Sequence, residues 1–365
     1  MRLTDAFAGR RVLLTGHTGF KGSWLALWLE RLGASVTGLA LAPPTDPCNF
    51  AVSDVAGTLA ADHRLDVRDL DAVAKVLADA APEVVFHLAA QSLVRESYQA
   101  PLETFDVNVI GTAAVCEAVR RRGQPCVLVV VSSDKCYENL EQGRAFVEDD
   151  SMGGRDPYSA SKGATELVVS SYRSSFFDPA RLDRHGVRLA SARAGNAIGG
   201  GDWTADGIVA DTVRALVAGR PVQVRNPTAI RPWQHLLEPL SGYLTLAARL
   251  LGDDPGRFCR GWNFGPAAGD QATVRELEDR FLSAWGGGRW VDCSDPDQPP
   301  EATVLRLGIG LARRELDWHP RWSLDEAIQR TVGWYRRYYD GGGAGMRQAT
   351  LEDIAAYEQA APRKE

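Results

Sequence analysis

Hydrophobic and polar positions alternate between two periods over the first half of the chain. Arg11–Thr15 carries the apolar core Val12-Leu13-Leu14 and predicts a buried strand. Residues 20–32 then place Trp24, Leu25, Trp28, Leu29 and Leu32 at the spacing of one helix face, with Gly33 as the stop. A second strand is predicted over 35–41, closed by Pro43-Pro44, followed by a helix over 69–79 and a buried strand over 83–88. A long helix over 104–122 ends at Gly123, and Cys126–Val131 is the most strongly apolar strand of the chain. Asp156 and Pro157 suit the N-cap and first residue of a helix reaching Ser175, and 187–193 forms one more strand. This rhythm predicts an α/β fold built on a doubly wound parallel sheet.

The rhythm changes after Gly195. Gly199-Gly200-Gly201 and the prolines at 221, 227 and 232 break it, and helical patterns dominate towards the C-terminus. The expected organisation is a sheet domain over 1–195 and a smaller mixed C-terminal lobe over 196–340. A segment near 236–265 returns to the first domain, and 341–365 forms a peripheral tail. A length of 365 residues suits two domains. The 41 basic and 47 acidic residues form no block of like charge, which argues against a nucleic-acid or anionic-membrane surface. No apolar run approaches the ~20 residues needed to span a bilayer. The three-residue apolar core near the N-terminus is too short for a signal peptide. Cys48, Cys116, Cys126, Cys136, Cys259 and Cys293 lie far apart with no CxxC spacing, so neither zinc nor a disulfide framework is expected. The expectation is a cytoplasmic, metal-free protein.

Thr15-Gly16-His17-Thr18-Gly19-Phe20-Lys21-Gly22 follows a predicted strand and opens a predicted helix. Gly16, Gly19 and Gly22 allow a tight turn, close backbone approach to a diphosphate and close helix–strand packing; Thr18 and Phe20 sit within the same turn. The helix N-terminus offers free N–H groups and partial positive charge to that anion. The plain alternative is a ligand-free βα turn. The acidic residue that normally holds the adenosine ribose is missing: the second strand ends Leu39-Ala40-Leu41. No Arg stands there to favour a 2′-phosphate, so NAD is expected over NADP. Asp66, after a plausible third strand, suits either the adenine edge or a helix N-cap.

Tyr158 and Lys162 lie four residues apart on one helical face, and a strand ends at Ser132-Ser133. A phenol loses its proton near pH ~10, so a nearby cation is needed before it acts as a base near neutrality. Lys162 supplies that charge, and the Ser133 hydroxyl can orient a substrate oxygen. A solvated Tyr–Lys contact is the plain reading of the pair alone; with the glycine turn, hydride transfer is the favoured chemistry.

These residues resemble the extended short-chain dehydrogenase/reductase superfamily, and within it the nucleotide-sugar 4,6-dehydratases, on the branch acting on CDP-glucose. The specific stretches are Gly16-His17-Thr18-Gly19-Phe20-Lys21-Gly22, Ser133-Asp134-Lys135-Cys136-Tyr137 and Ala194-Gly195-Asn196-Ala197-Ile198-Gly199-Gly200-Gly201-Asp202-Trp203. Ile230-Arg231-Pro232-Trp233-Gln234-His235 and Gly261-Trp262-Asn263-Phe264-Gly265-Pro266 complete the likeness, which spans roughly residues 7 to 340.

The resemblance implies a Rossmann-type NAD-binding domain, with Leu88, Ala89 and Ala90 also lining the cofactor, and a nucleotide-sugar-binding lobe. It implies a hydro-lyase: oxidation at C4, loss of water across C5–C6 and hydride return to C6, giving CDP-4-dehydro-6-deoxy-D-glucose for deoxysugar and lipopolysaccharide biosynthesis. Hydroxide is a poor leaving group, so an acid is required, and the C5 proton needs a base. By resemblance Asp134 is the acid. Lys135 stands where related dTDP- and GDP-sugar enzymes have Glu, and acts either as the base or by stabilising the enolate. Arg231 is the implied diphosphate ligand, with Asn196, the Gly200 backbone, Trp203 and Gln234 as further substrate contacts; Asn196 also suits a structural turn. Pro300-Glu301-Ala302 and Leu307-Gly308 depart from the family pattern, which bears on base and hexose preference. Competing readings are a nucleotide-sugar 4-epimerase, a dehydratase of another nucleotide sugar such as a CDP-heptose, and a binding-only sensor of NAD. A homodimer or dimer-based oligomer through the two long helices is expected by analogy.

Overall fold

A computed structural model describes residues 2–295 and 304–363. Seven parallel strands form its main sheet: β1 (Arg11–Thr15), β2 (Ser35–Ala40), β3 (Ala61–Arg64), β4 (Val84–His87), β5 (Cys126–Val131), β6 (Val187–Ala194) and β7 (Gly261–Phe264). Their order is β7-β6-β5-β4-β1-β2-β3. The order reverses between β1 and β4, which opens a crevice at the carboxyl ends of these strands.

Strand composition follows from burial on both faces. Along β1, Val12 and Leu14 join the core on one side while Leu13 joins the core on the other. Along β5, Val127 and Val129 alternate in the same way with Leu128 and Val130. Helix α1 (Phe20–Arg31) buries Trp24, Leu25, Trp28 and Leu29 against one face. Helices α2 (Leu70–Ala80), α3 (Gly111–Arg122) and α4 (Pro157–Ser175) cover the other, and Gly123 stops α3 in a left-handed conformation. Asp156 caps α4 by accepting from the Ser159 N–H at 2.9 Å, with Pro157 as its first residue.

Beyond Gly195 the chain makes three two-stranded ladders: 197–198 with 234–235, 230–231 with 272–273, and 222–224 with 290–292. Helix α5 (Leu237–Leu250) then returns the chain to β7, which pairs with β6. Helix α6 (Val274–Trp285) opens with a capping box at Thr273 and Glu276, and α7 (Leu324–Asp340) follows. The segment expected as a peripheral tail contains helix α8 (Met346–Gln359), which buries Met346, Ala349, Thr350, Ile354 and Tyr357 in the main core. Glu358 accepts from the Trp28 indole at 2.9 Å, and Arg347 pairs with Glu30 at 2.8 Å, so α8 is clamped to α1.

Candidate active site

The glycine turn leaves β1 at the crevice. Gly16 has φ +76°, and a Cβ there would lie 2.7 Å from the Ala89 nitrogen. A Cβ on Gly22 would lie 2.1 Å from the Gly16 carbonyl, so neither position accepts a side chain. Gly19 is the N-cap of α1, and a Cβ there would make only ordinary contact at 3.4 Å. The Thr15 hydroxyl accepts from the N–H groups of Leu88 (3.2 Å) and Ala89 (3.1 Å), which draws 88–90 against the turn. Thr18 donates to the Leu41 carbonyl at 3.1 Å, and the Phe20 ring lies beside Gly199. This narrow backbone cradle at a helix N-terminus fits the diphosphate of a dinucleotide.

Between the glycine turn and strands β2 and β3 the structure adds a pair that sequence reasoning missed. His17 is buried against Gly38 and edge-on to Phe50, with Nε2 2.9 Å from Asp62 Oδ1. Asp62 stands opposite Gly38 in the β2–β3 register, so the carboxylate comes from the neighbouring strand. Asp66 accepts from the Arg68 N–H at 2.9 Å and pairs with its guanidinium at 2.6 Å. The N-cap of α2 is Asp69.

Tyr158 and Lys162 occupy the first turns of α4, both buried. The start of this helix is pinned from two sides. Ser97 accepts from the Tyr158 N–H at 3.1 Å, and Asn108 donates to Ser161 Oγ at 2.8 Å. The Lys162 ammonium lies 6.0 Å from the Tyr158 ring centre. Burial lowers Lys162 to about 8, helped by Lys21, while Cys136 and Glu166 oppose. Burial raises the Tyr158 phenol well above its ordinary value, with its contact to Ser133 acting against this.

Ser133, Asp134 and Lys135 form the turn leaving β5. The Ser133 hydroxyl donates to Asp134 Oδ1 at 3.0 Å and accepts from the Lys135 N–H at 3.2 Å. Asp134 Oδ2 is buried with no hydrogen-bond partner among the described residues. Burial raises the Asp134 carboxyl above the usual range, against the pull of Lys135, Ser133, Arg231 and Lys21. A carboxyl that holds its proton more tightly than usual and has an unused oxygen is suited to general acid catalysis. Lys21, inside the glycine motif but given no role from the sequence, faces both Asp134 and Lys162.

On the substrate side, Arg231 is buried within electrostatic reach of Asp134. Gln234 is also buried and donates to the Phe264 carbonyl at 3.0 Å, and the Asn196 carbonyl accepts from the Gln234 N–H at 3.1 Å. Two expectations change. Trp203 packs edge-on against Trp334, Tyr335 and Tyr338, and its indole donates to Tyr339 at 3.2 Å, so its ring is committed to the core. Gly200 is required by packing: a Cβ there would lie 2.1 Å from the Trp334 ring, and its carbonyl accepts from Trp24 at 2.9 Å. Leu307 is buried and the Gly308 carbonyl accepts from Asn263, while Pro300-Glu301-Ala302 lies outside the described residues.

The NAD dependent epimerase/dehydratase family matches residues 12–258. The chain belongs to this family. It is 45% identical over 97% of its length to a CDP-glucose 4,6-dehydratase of Salmonella typhimurium, covering 98% of that protein. Among solved structures, a UDP-glucose 4-epimerase of Thermus thermophilus in complex with NAD is 26% identical, with TM-score 0.74 over 89% of this chain and 99% of that one. A dTDP-glucose 4,6-dehydratase of Streptomyces venezuelae, 24% identical, shares the fold with TM-score 0.75, over 90% of this chain and 98% of that one. Within this NAD dependent family, the cradle formed by Gly16, Gly19, Gly22 and 88–90 is the part of the chain that fits the cofactor diphosphate. No helix among the described residues is long and apolar enough to cross a membrane.

Proposed function

We propose that the chain catalyses the dehydration of CDP-D-glucose to CDP-4-dehydro-6-deoxy-D-glucose. The substrate assignment is supported by the near full-length identity to the Salmonella enzyme, and the reaction type by the buried Asp134 with its unpartnered Oδ2. A 4-epimerase has no need of an acid at that position.

Held against Gly16, Gly19, Gly22 and 88–90, NAD would supply a reversible hydride acceptor for the sugar, with no net change of redox state. Tyr158 takes the C4 hydroxyl proton, aided by the Lys162 ammonium, while Ser133 orients the oxygen. The resulting ketone acidifies the C5–H. Asp134 donates its proton to the departing C6 hydroxyl, so the leaving group is water. Lys135, next in the same turn, takes the C5 proton and gives it back to C5 as C6 gains the hydride. Arg231 and Asn196 hold the diphosphate, with Gln234 behind Asn196.

The same reading includes a cytoplasmic homodimer serving deoxysugar and lipopolysaccharide biosynthesis. Leu102 is 84% exposed, and Ile110 and Leu167 are exposed on the neighbouring turn and on α4, an apolar face suited to a second copy. Incubation with CDP-, UDP-, dTDP- and GDP-glucose followed by mass spectrometry tests the function. Loss of one water from CDP-glucose alone is expected; loss from another sugar nucleotide, or none, overturns the substrate or the reaction.

A further inference from the structure

Beneath the catalytic turn lies a buried ion pair that the reaction above does not use. Glu166 stands on α4 one helical turn beyond Lys162, and Arg193 stands on β6, with Nη2 2.8 Å from Glu166 Oε2. Both side chains are more than nine-tenths buried. Glu166 also accepts from the Ser132 hydroxyl through Oε1 and from the Ser191 hydroxyl at 2.7 Å through Oε2. Arg193 Nη1 donates to the Tyr137 hydroxyl at 2.8 Å and to the Glu148 carbonyl at 2.9 Å. Tyr137 in turn donates to Asn263 on β7 at 2.6 Å, and Asn263 donates to the carbonyls of Phe146 and Gly308.

The pair therefore holds both ends of the catalytic turn, Ser132 just before it and Tyr137 just after it, against the helix that carries Tyr158 and Lys162. Burying two charges costs several kcal/mol per ion, and apolar residues of the same volume would serve stability as well. What apolar residues could not supply is directional bonding to four segments together with a fixed negative charge near Lys162.

We propose that Glu166 and Arg193 are positioning residues: they set the Ser133–Lys135 turn in register with the Tyr158–Lys162 helix, and the Glu166 carboxylate supplies the negative charge that Lys162 faces. The groups around that ammonium are Lys21 from α1, His87 from β4, Cys136 from the catalytic turn, and Tyr158 and Glu166 from its own helix. Of these, Glu166 is the one carboxylate, and Arg193 with the two serine hydroxyls keeps it ionised despite burial. The catalytic consequence rests on the dehydratase reading above.

The chain has five lysines, which makes ε-13C-lysine NMR a practical probe, with a Lys162→Arg spectrum to assign the signal. Wild-type Lys162 is expected to titrate near 8. In Glu166→Gln the midpoint falls by at least about half a unit, kcat drops about 100-fold, and KM for CDP-glucose stays within about threefold. Ser132→Ala keeps both charges: its Lys162 midpoint stays in place while kcat drops about tenfold. Should Glu166→Gln fail to fold, Ser132→Ala alone decides the positioning claim. An unmoved Lys162 midpoint in folded Glu166→Gln, or unchanged kcat in Ser132→Ala, overturns the proposal. Wild-type inactivity towards CDP-glucose would count against the assigned reaction instead, because the lysine titration needs no substrate.

Discussion

The Lys162 ammonium sits 6.0 Å from the centre of the Tyr158 ring, one helical turn along the same buried face. Burial moves the two groups in opposite directions, the phenol up and the ammonium down to about 8. The phenol thus depends on a cation that begins to lose its proton just above neutrality. The charged form is the active one, so kcat/KM holds below that value and declines as pH rises through it. Lys162→Met is expected to lower kcat/KM by about 100-fold or more and to abolish that alkaline limb, as read from a pH–rate profile.

Asp134 is expected to act after the first oxidation. Asp134→Asn keeps the side-chain volume but removes the proton donor, so C4 oxidation proceeds while water loss slows about 100-fold. Absorbance of reduced nicotinamide then accumulates during turnover, which it does not in the wild type. Turnover at the wild-type rate would remove Asp134 from the mechanism.

Glu238 joins α5 to α8. It accepts from the Tyr357 hydroxyl at 2.6 Å and from the N–H groups of Arg321 and Trp322, and burial pushes it up to about 7. A carboxyl raised on folding binds its proton more tightly folded than unfolded. Its contribution is therefore fully present below the unfolded value and is lost as pH rises towards 7, an effect on the order of 3 kcal/mol. Relative to wild type, Glu238→Gln should be least stable near pH 5 and should recover ground by pH 8. Denaturant melts at the two pH values check this; a constant difference contradicts it.

The apolar face on residues 101–110 and α4 carries the dimer prediction. Leu102→Glu combined with Leu167→Glu should convert a dimer to a monomer by light scattering without lowering helix content, since both side chains are exposed in the single chain.

Trp203→Ala should lower stability by about 3–5 kcal/mol while leaving KM for the sugar nucleotide within about twofold. Thermal unfolding and initial-rate kinetics separate these effects. A large rise in KM with unchanged stability would restore Trp203 to the substrate pocket.

Much of the sheet was legible because parallel strands buried on both faces have little choice of residue: Cys126–Val131 is apolar at every position. The caps at Asp156 and Gly123 were legible because capping is local. The helix read as continuous over 104–122 instead passes through a widened π turn at Asp106–Ile110, where the Asn108 carbonyl accepts from both Thr112 and Thr165. Helix α8 was hidden because alanines and Thr350 dilute its apolar face, and its anchors lie some 300 residues away on α1.

At the site, the linear motifs were readable and the paired charges were not. Glu166 and Arg193 are 27 residues apart, and His17 and Asp62 are 45 apart, so packing of α4 on the sheet joins the first pair and the β2–β3 register joins the second. Trp203 reads as a substrate contact in the linear sequence because its partners, Trp334 to Tyr339, come more than 130 residues later.

The most direct test follows one labelled hydrogen. CDP-glucose carrying deuterium at C4 should yield a product lighter by one water, with that deuterium now on the C6 methyl group. A product that keeps its mass, or loses water without deuterium at C6, would contradict the account.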